Sequence, residues 1–286
     1  MKRLSDIGTI KELLSRHGFS FSKALGQNFL VNPSVCPRMA ESCGAGPGVG
    51  VLEIGPGIGV LTQELCQLAD KVVAVELDKR LLPVLGETLA EFDNIRIVNA
   101  DVLKLDLNRL IAEEFDGLEV VVCANLPYYI TSPVIMKLLE DRLPIKAITV
   151  MVQKEAAQRI CAPVGSRESG AVTVSVNYYA EPELLFHVSA GSFMPAPKVD
   201  SAVMRLKVLQ KPPVDCDAAA FFRTVKAAFS QRRKVIANSL SAGLGMSKAD
   251  AAALLEQAGV APNARAEQLS LQDFAAIANR LNGGAR

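Results

Sequence analysis

No window of the chain holds about 18 uninterrupted apolar residues, so a membrane-spanning helix is not expected. The start, Met1 to Leu14, alternates charged residues with Leu and Ile and has no compact apolar segment before a cleavage site; the expectation is a cytoplasmic protein. Cysteine is sparse and scattered. Cys36, Cys43, Cys66, Cys123, Cys161 and Cys216 never fall two to four positions apart, and His17 and His187 are the only histidines, so zinc-ligand spacing is missing and no metal is expected. The thiols read instead as reduced side chains in a core. Neither histidine lies beside a nucleophile-elbow motif, which sets Ser-His-Asp hydrolysis aside. Internal repeats and low-complexity segments are also lacking.

What is present is a globular composition: 50% hydrophobic and 21% charged residues, the apolar ones in short blocks broken by Gly, Pro and charge. That excludes disorder for the bulk of the chain. At about 150 residues per domain, 286 residues give two domains. The 31 basic and 30 acidic residues nearly cancel, but not along the chain. Residues 1–30 carry five basic and two acidic groups, residues 31–208 carry 16 and 22, and residues 209–286 carry 10 and 6. Basic ends around an acidic middle point to a polyanionic partner gripped by the ends, although a solvated surface has the same charge pattern.

Through the middle, short β-branched runs alternate with helix-like stretches. Val49 to Ile54 ends in Gly, Val72 to Val75 ends at Glu76, Ile95 to Ala100 ends at Asp101, Val120 to Ala124 ends at Asn125, and Ala147 to Val152 follows. Runs without polar alternation are those of strands buried on both faces, so a parallel sheet covered by helices is expected. Val172 to Tyr179 and Ala202 to Val208 are read as antiparallel strands added at one edge. Near Gln210-Lys211-Pro212-Pro213 the strand pattern stops. Beyond it Phe222, Val225, Phe229, Leu254 and Leu255 recur at helical spacing, and Ser247 with Asp250 and Ser270 with Asp273 form capping-box patterns. The expected organisation is an α/β domain over 1–208, carrying a basic N-terminal extension 1–30, and a small all-helical domain over 209–286.

The strand ends carry the chemistry. In an open α/β sheet a ligand binds outside the carboxyl ends of the strands, and here those ends bear Gly55-Pro56-Gly57-Ile58-Gly59, Glu76, Asp101 and Asn125. Glycine lets the backbone approach a ligand closely, and Glu76, 21 residues past Gly55, suits both hydroxyls of a ribose. The third glycine arrives one residue earlier than in the dinucleotide fingerprint, and Asp101 suits an adenine amine; together these favour S-adenosyl-L-methionine over NAD. Asn125-Leu126-Pro127-Tyr128 is the most specific motif. An adenine N6 amine is a poor nucleophile because its lone pair is delocalised into the ring. The Asn125 side-chain oxygen and a backbone carbonyl at Leu126 or Pro127 would draw on its hydrogens and favour a tetrahedral, attacking nitrogen. Pro127 stiffens the turn, and Tyr128 would stack on a base extruded from its own helix.

Gly26-Gln27-Asn28-Phe29-Leu30, Glu53-Ile54-Gly55-Pro56-Gly57-Ile58-Gly59, Asn125-Leu126-Pro127-Tyr128 and the segment Phe193-Met194-Pro195-Ala196-Pro197-Lys198-Val199-Asp200-Ser201-Ala202-Val203 together resemble the ribosomal RNA adenine N6-dimethyltransferases, in particular the bacterial small-subunit enzymes of the KsgA/RsmA family. The resemblance implies a Rossmann-like S-adenosyl-L-methionine-dependent methyltransferase domain with a helical C-terminal domain. It implies transfer of methyl groups to two adjacent adenosines in a hairpin near the 3′ end of small-subunit (16S) rRNA, within the immature small ribosomal subunit, by a monomer. Carried onto these positions, Asn28 and Leu30 would hold the methionine end of the cofactor, Gly55 and Gly57 the backbone turn, Glu76 the ribose and Asp101 the adenine amine. Asn125 would serve both cofactor and target. Phe193 matches the aromatic that stacks on the target base opposite Tyr128; from its own surroundings alone it reads more readily as a core anchor for a loop. One departure is Asn32, where the family usually has Asp; followed by Pro33, it is still expected to start a helix.

Lys226, Arg232, Arg233 and Lys234 form a basic run beside an apolar stripe and are the expected RNA contacts, or else a solvated helix face. The alternatives to the favoured function are a large-subunit (23S) rRNA adenine methyltransferase of the macrolide-resistance type, a ribosome-assembly factor in which binding dominates, and an NAD oxidoreductase.

Overall fold

The computed structural model describes residues 4–19, 28–231 and 233–283; Gly26, Gln27 and Arg232 lie outside them. Nine strands are present among the described residues: β1 Phe29–Leu30, β2 Val49–Ile54, β3 Lys71–Glu76, β4 Ile95–Asn99, β5 Glu119–Asn125, β6 Ala147–Gln153, β7 Ala180–Val188, β8 Phe193–Met194 and β9 Ser201–Val208. Seven form one sheet in the order β4-β3-β2-β5-β6-β9-β7, and β1 pairs with β8 in a separate two-stranded ribbon. β2 to β6 are mutually parallel, and β9 runs antiparallel to β6. Strand order reverses at β2 and β5, the switch point where an α/β sheet opens a crevice at its carboxyl edge.

The interiors of β2, β3, β5 and β6 are buried along their length, as continuous apolar runs require. Met39, Val51, Leu65, Val72, Val121 and Met151 lie in one cluster with Cys36, Cys43, Cys66 and Cys123. A second cluster is built by the N-terminal helix Ile7–Arg16, which is capped by Asp6 through the Thr9 N–H at 2.8 Å. It buries Ile10, Leu13 and Leu14 against Ile58, Leu81 and Leu85. Arg16 and His17 then pair with Glu87 at 2.6 and 2.7 Å. Among the described residues no helix is long and apolar enough to cross a membrane.

The chain separates into two compact units, one of Met1–Ala157 with Glu183–Val208, the other of Gln158–Pro182 with Leu209–Arg286. A single cut after residue 208 therefore misplaces residues 158–182. The same segment holds a second correction: Val172 to Tyr179, read as a strand, lies within the helix Ala171–Tyr179. Its β-branched residues favour a strand, but packing overrides the preference. The Gly170 N–H donates to Thr173 Oγ1 at 2.9 Å and starts the helix, Tyr178 packs 4.6 Å from the Phe221 ring, and Tyr179 stacks on Phe222 at 5.2 Å. The edge strand is instead β7, whose Glu181, Pro182 and Glu183 blunt an exposed edge.

In the second unit both serines cap their helices, and Ser270 completes a capping box, its N–H donating to Asp273 Oδ2 at 2.8 Å. The Ser247 hydroxyl accepts from the Asp250 N–H at 3.1 Å ahead of helix Lys248–Gln257, and the Ser270 hydroxyl accepts from the Asp273 N–H at 3.1 Å ahead of Leu271–Gly283. Helix Ala218–Ala228 meets helix Ile236–Leu244 at a close crossing, where a Cβ on Gly243 would lie 2.7 Å from the Ala227 Cα. Gly to Ala inside an uncrowded helix gains about 1 kcal/mol, whereas overpacking costs about 1–3 kcal/mol. Gly243→Ala is expected to destabilise the protein in urea or thermal unfolding despite its better helix propensity; a gain in stability would refute the close contact.

Candidate functional site

Parallel pairing brings the carboxyl ends of β2, β3, β4 and β5 to one edge, and a cleft opens there with about 1140 Å³ of space including its mouth. Asn28, Leu30, Gly55, Gly57, Glu76, Asp101, Asn125, Leu126, Pro127, Tyr128 and Phe193 all line this cleft. The basic residues Lys226, Arg233 and Lys234 are exposed elsewhere, on the second unit.

The glycine turn leaves β2 with the Gly55 N–H donating to the Val75 carbonyl at 2.9 Å. Gly55 and Gly57 have φ of +72° and +62°, a left-handed backbone that a side chain strains. The space where a Gly55 Cβ would stand holds no atom within 4 Å, so the main chain itself forms that wall. The turn runs directly into the helix Val60–Leu68.

Glu76 ends β3 buried, its Oε1 accepting from the Asp78 N–H at 2.7 Å. Burial raises its pKa, while backbone donors at Asp78, Gly57 and Leu77 act in the other direction. Asp101 follows β4 partly exposed; its Oδ1 accepts from the Leu103 N–H at 3.0 Å, and Lys104 Nζ lies 3.7 Å from Oδ2. It is thus a turn acid and a cleft acid at once.

Asn125 closes β5 in register with Met151, and its side-chain amide has no hydrogen-bond partner among the described residues. After Leu126, whose N–H donates to Met151, Pro127 leads into a short turn, Tyr128–Ile130. The Tyr128 hydroxyl and Ser201 Oγ are hydrogen-bonded at 2.7 Å, fixing the half-buried ring. Burial pushes its phenol pKa up, with Asp200 adding to the push and Ser201 opposing it. Phe193 sits in β8 opposite Leu30 of β1, only 5% exposed and part of the first core cluster. Its ring is a wall of the cleft as well as an anchor for the β1–β8 ribbon. Asn28 precedes that ribbon.

Three expectations need correcting in detail. The helix after Asn32 begins at Val35, not at Pro33, because Asn32 Oδ1 accepts from the Ser34 N–H at 3.1 Å and holds a turn before the helix. The basic run does not continue a helix face: Ala218–Ala228 ends first, Phe229–Gln231 forms a single tight turn, and Arg233 and Lys234 lie in the turn beyond it. Phe229 is held there by stacking on Phe274 at 5.9 Å. Finally, Phe29, Leu77, Tyr129 and Glu53 also line the cleft, outside the set of site residues that the sequence suggests. For Glu53 a signal existed, a carboxylate inside an otherwise apolar strand two residues before the glycine turn.

Glu53 is 1% exposed, and its Oε2 has no hydrogen-bond partner among the described residues. Burial pushes its pKa up to about 8; the nearby Thr62 hydroxyl opposes the rise, and the Glu76 carboxylate adds to it. An acid whose folded pKa exceeds its unfolded value keeps its proton only in the folded state between the two, so stability falls as pH rises from about 4.5 to about 8 and levels off above. Each pH unit over which one proton is fully linked is worth about 1.4 kcal/mol. Glu53→Gln, neutral at every pH, is expected to flatten this slope in denaturant titrations and to be more stable relative to the parent at pH 8 than at pH 4.5. An unchanged slope would refute the buried neutral acid.

Comparison with known proteins accounts for this constellation. The chain matches the family described as Ribosomal RNA adenine dimethylase over residues 18–283. Proteins named Ribosomal RNA small subunit methyltransferase A are similar along nearly their whole length. That of Geobacillus thermodenitrificans (strain NG80-2) is 46% identical over 285 residues, covering 98% of this chain and 97% of the relative. That of Alkaliphilus oremlandii (strain OhILAs) is 43% identical over 283 residues, covering 98% and 99%. Among solved structures, a dimethyladenosine transferase from Plasmodium falciparum superposes with a TM-score of 0.74 at 25% identity, over 89% of this chain and 98% of that one. The 23S rRNA methyltransferase ErmE gives a TM-score of 0.67 at 31% identity, over 89% and 100%. The chain belongs to the ribosomal RNA adenine dimethylase family.

Proposed function

We propose that the chain transfers methyl groups from S-adenosyl-L-methionine to N6 of two adjacent adenosines in a 3′-end hairpin of 16S rRNA, giving N6,N6-dimethyladenosine during small-subunit assembly in the cytoplasm. The observation that carries this reading is the Asn125-Leu126-Pro127-Tyr128 turn opening into the same cleft as the glycine turn, Glu76 and Asp101. Relatives named for the small subunit are 43–46% identical, against 31% for ErmE, which favours the small-subunit substrate over 23S rRNA.

The residues of the cleft fit the cofactor. The open wall at Gly55 accepts close approach, Glu76 offers acceptors to ribose hydroxyls, Asp101 to an adenine amine, and Asn28 and Leu30 border the remaining end. When bound, the cofactor supplies an electrophilic sulfonium methyl group. The protein's own work is on the amine. Asn125 and a carbonyl of Leu126 or Pro127 accept its two hydrogens, which localises the lone pair on nitrogen, while the Tyr128 ring, pinned through Ser201, holds the base. The nitrogen becomes acidic as it is alkylated, and its proton leaves to water. Lys226, Arg232, Arg233 and Lys234 on the second unit serve as phosphate contacts that position the RNA. The chain acts as a monomer on the immature subunit.

Labelled S-adenosyl-L-methionine offered in parallel with unmethylated small subunits, large-subunit RNA and DNA tests the whole reading. N6,N6-dimethyladenosine by mass spectrometry is expected in 16S rRNA alone; label in 23S rRNA would transfer the assignment to the macrolide-resistance type. In the same assay Asn125→Ala is expected to abolish transfer and retain particle binding. Replacing Lys226, Arg232, Arg233 and Lys234 with Ala should weaken RNA binding and flatten its salt dependence by roughly one log unit for each phosphate partner removed; an unchanged slope would exclude them from the interface.

A further inference from the structure

The aromatic side chains around the cleft differ in how they are held. Phe193 is buried in the β1–β8 ribbon, and Tyr128 is half-buried with its hydroxyl tied to Ser201. Tyr129, next in the chain, is 55% exposed, lines the same cleft, and makes no hydrogen bond or ring contact with the described residues. It is the only exposed aromatic side chain among them. The turn Tyr128–Ile130 accounts for the contrast: it is closed by the Ile130 N–H donating to the Pro127 carbonyl at 3.1 Å, and it turns one ring inward while the next faces solvent.

We propose that Tyr129 is a stacking platform for the nucleobase adjoining the target adenosine. A base that leaves its stack to reach the cleft uncovers one face of its neighbour, and covering that face with a flat aromatic recovers the lost stacking. A phenol at the cleft mouth is suited to this, with an apolar ring for the base and a hydroxyl that stays in water. Leu77, also exposed and lining the cleft, follows Glu76 and so belongs to the cofactor end, whereas Tyr129 follows the target-binding turn. On the proposed substrate the neighbouring base is itself an adenosine to be methylated, so the platform holds the second target in register while the first reacts. This inference rests on the proposed RNA substrate. Tyr129 is a positioning residue: it touches the neighbour, not the reacting nitrogen.

The test uses the full chain and a model hairpin carrying 2-aminopurine beside the target adenosine, with the parent, Tyr129→Phe and Tyr129→Ala. Stacking is expected to quench the fluorescence with the parent and with Tyr129→Phe, and not with Tyr129→Ala. Affinity for the hairpin should fall about five- to 150-fold in Tyr129→Ala, the range of aromatic–base stacking, and stay within about twofold in Tyr129→Phe. The KM for S-adenosyl-L-methionine should remain close to the parent's in both. Equal quenching by the parent and Tyr129→Ala, failure of Phe to rescue, or an equal loss of cofactor affinity would each overturn the proposal. Methyl transfer by the parent to unmethylated small subunits separates the two levels: transfer without a Tyr129 effect refutes the platform alone, and no transfer by the parent refutes the substrate reading and the platform with it.

Discussion

The parallel pairing of β2 to β6 is the constraint on which the site depends. Glu53 lies opposite Cys123, Ile54 opposite Val75, Glu76 opposite Asn99 and Asn125 opposite Met151, so the residues that follow each strand emerge at a single edge. Positions as far apart in sequence as Gly55 and Asn125 thereby line one cleft. The sheet can impose that arrangement because β2, β3, β5 and β6 are apolar on both faces, and a register slip by one residue would turn every buried side chain to the opposite face. Site geometry and core packing are enforced by the same hydrogen-bond ladder.

Glu53 is where those two demands conflict. Every other interior position of β2 is Gly or apolar, and a carboxyl among Cys36, Cys66 and Glu76, with its Oε2 unpaired among the described residues, does not recover all the solvation that burial removes. The strain is shared with its neighbours: burial together with Glu53 pushes the Cys66 thiol up to about 12, which keeps it protonated and inert. A packing argument alone would place Val or Leu there. A buried acid lining a ligand cleft is instead the kind of local violation that sequences retain at functional sites.

The parts legible in the sequence are those governed by local rules. Strands buried on both faces announce themselves by unbroken Val and Ile runs, their ends by Gly55, Glu76, Asp101 and Asn125, and two helix starts by Ser247 and Ser270. What escapes depends on partners distant in the chain. Ala171–Tyr179 carries strand-forming residues, and its helix is decided by Phe221 and Phe222, far along the sequence. The second unit's claim on residues 158–182 follows from that same packing and has no compositional mark. Asn32 and Pro33 satisfy the rules for a helix start, yet the turn closed on Ser34 delays it. Tyr129 stands next to Tyr128 with the same side chain, and only the turn geometry separates a held ring from a free one.

The distribution of ionisable groups along the cleft bears on the reaction itself. The carboxylates that line it, Glu53, Glu76 and Asp101, all come from β2, β3 and the end of β4. The proposed target end, from Asn125 to Ile130 with Phe193, contributes amide, carbonyl and aromatic groups. Its only titratable side chains are phenols, and burial holds the Tyr128 phenol neutral. A general base there would need to titrate near neutral pH, whereas a phenol ordinarily ionises near pH ~10. An exocyclic amine needs no base: it is already neutral, it lacks only an available lone pair, and fixed acceptors supply that by pulling its hydrogens out of the ring plane. Acceptors without basicity have a further consequence for an amine that must react twice. With Asn125 and a turn carbonyl as the proposed acceptors, replacement of one hydrogen by a methyl group at the first methylation would leave one acceptor without a partner while the other still orients the nitrogen. On the proposed roles of these residues, the apolar surfaces of Leu126, Pro127 and the Tyr128 ring would give that methyl group a place that a charged base would deny it.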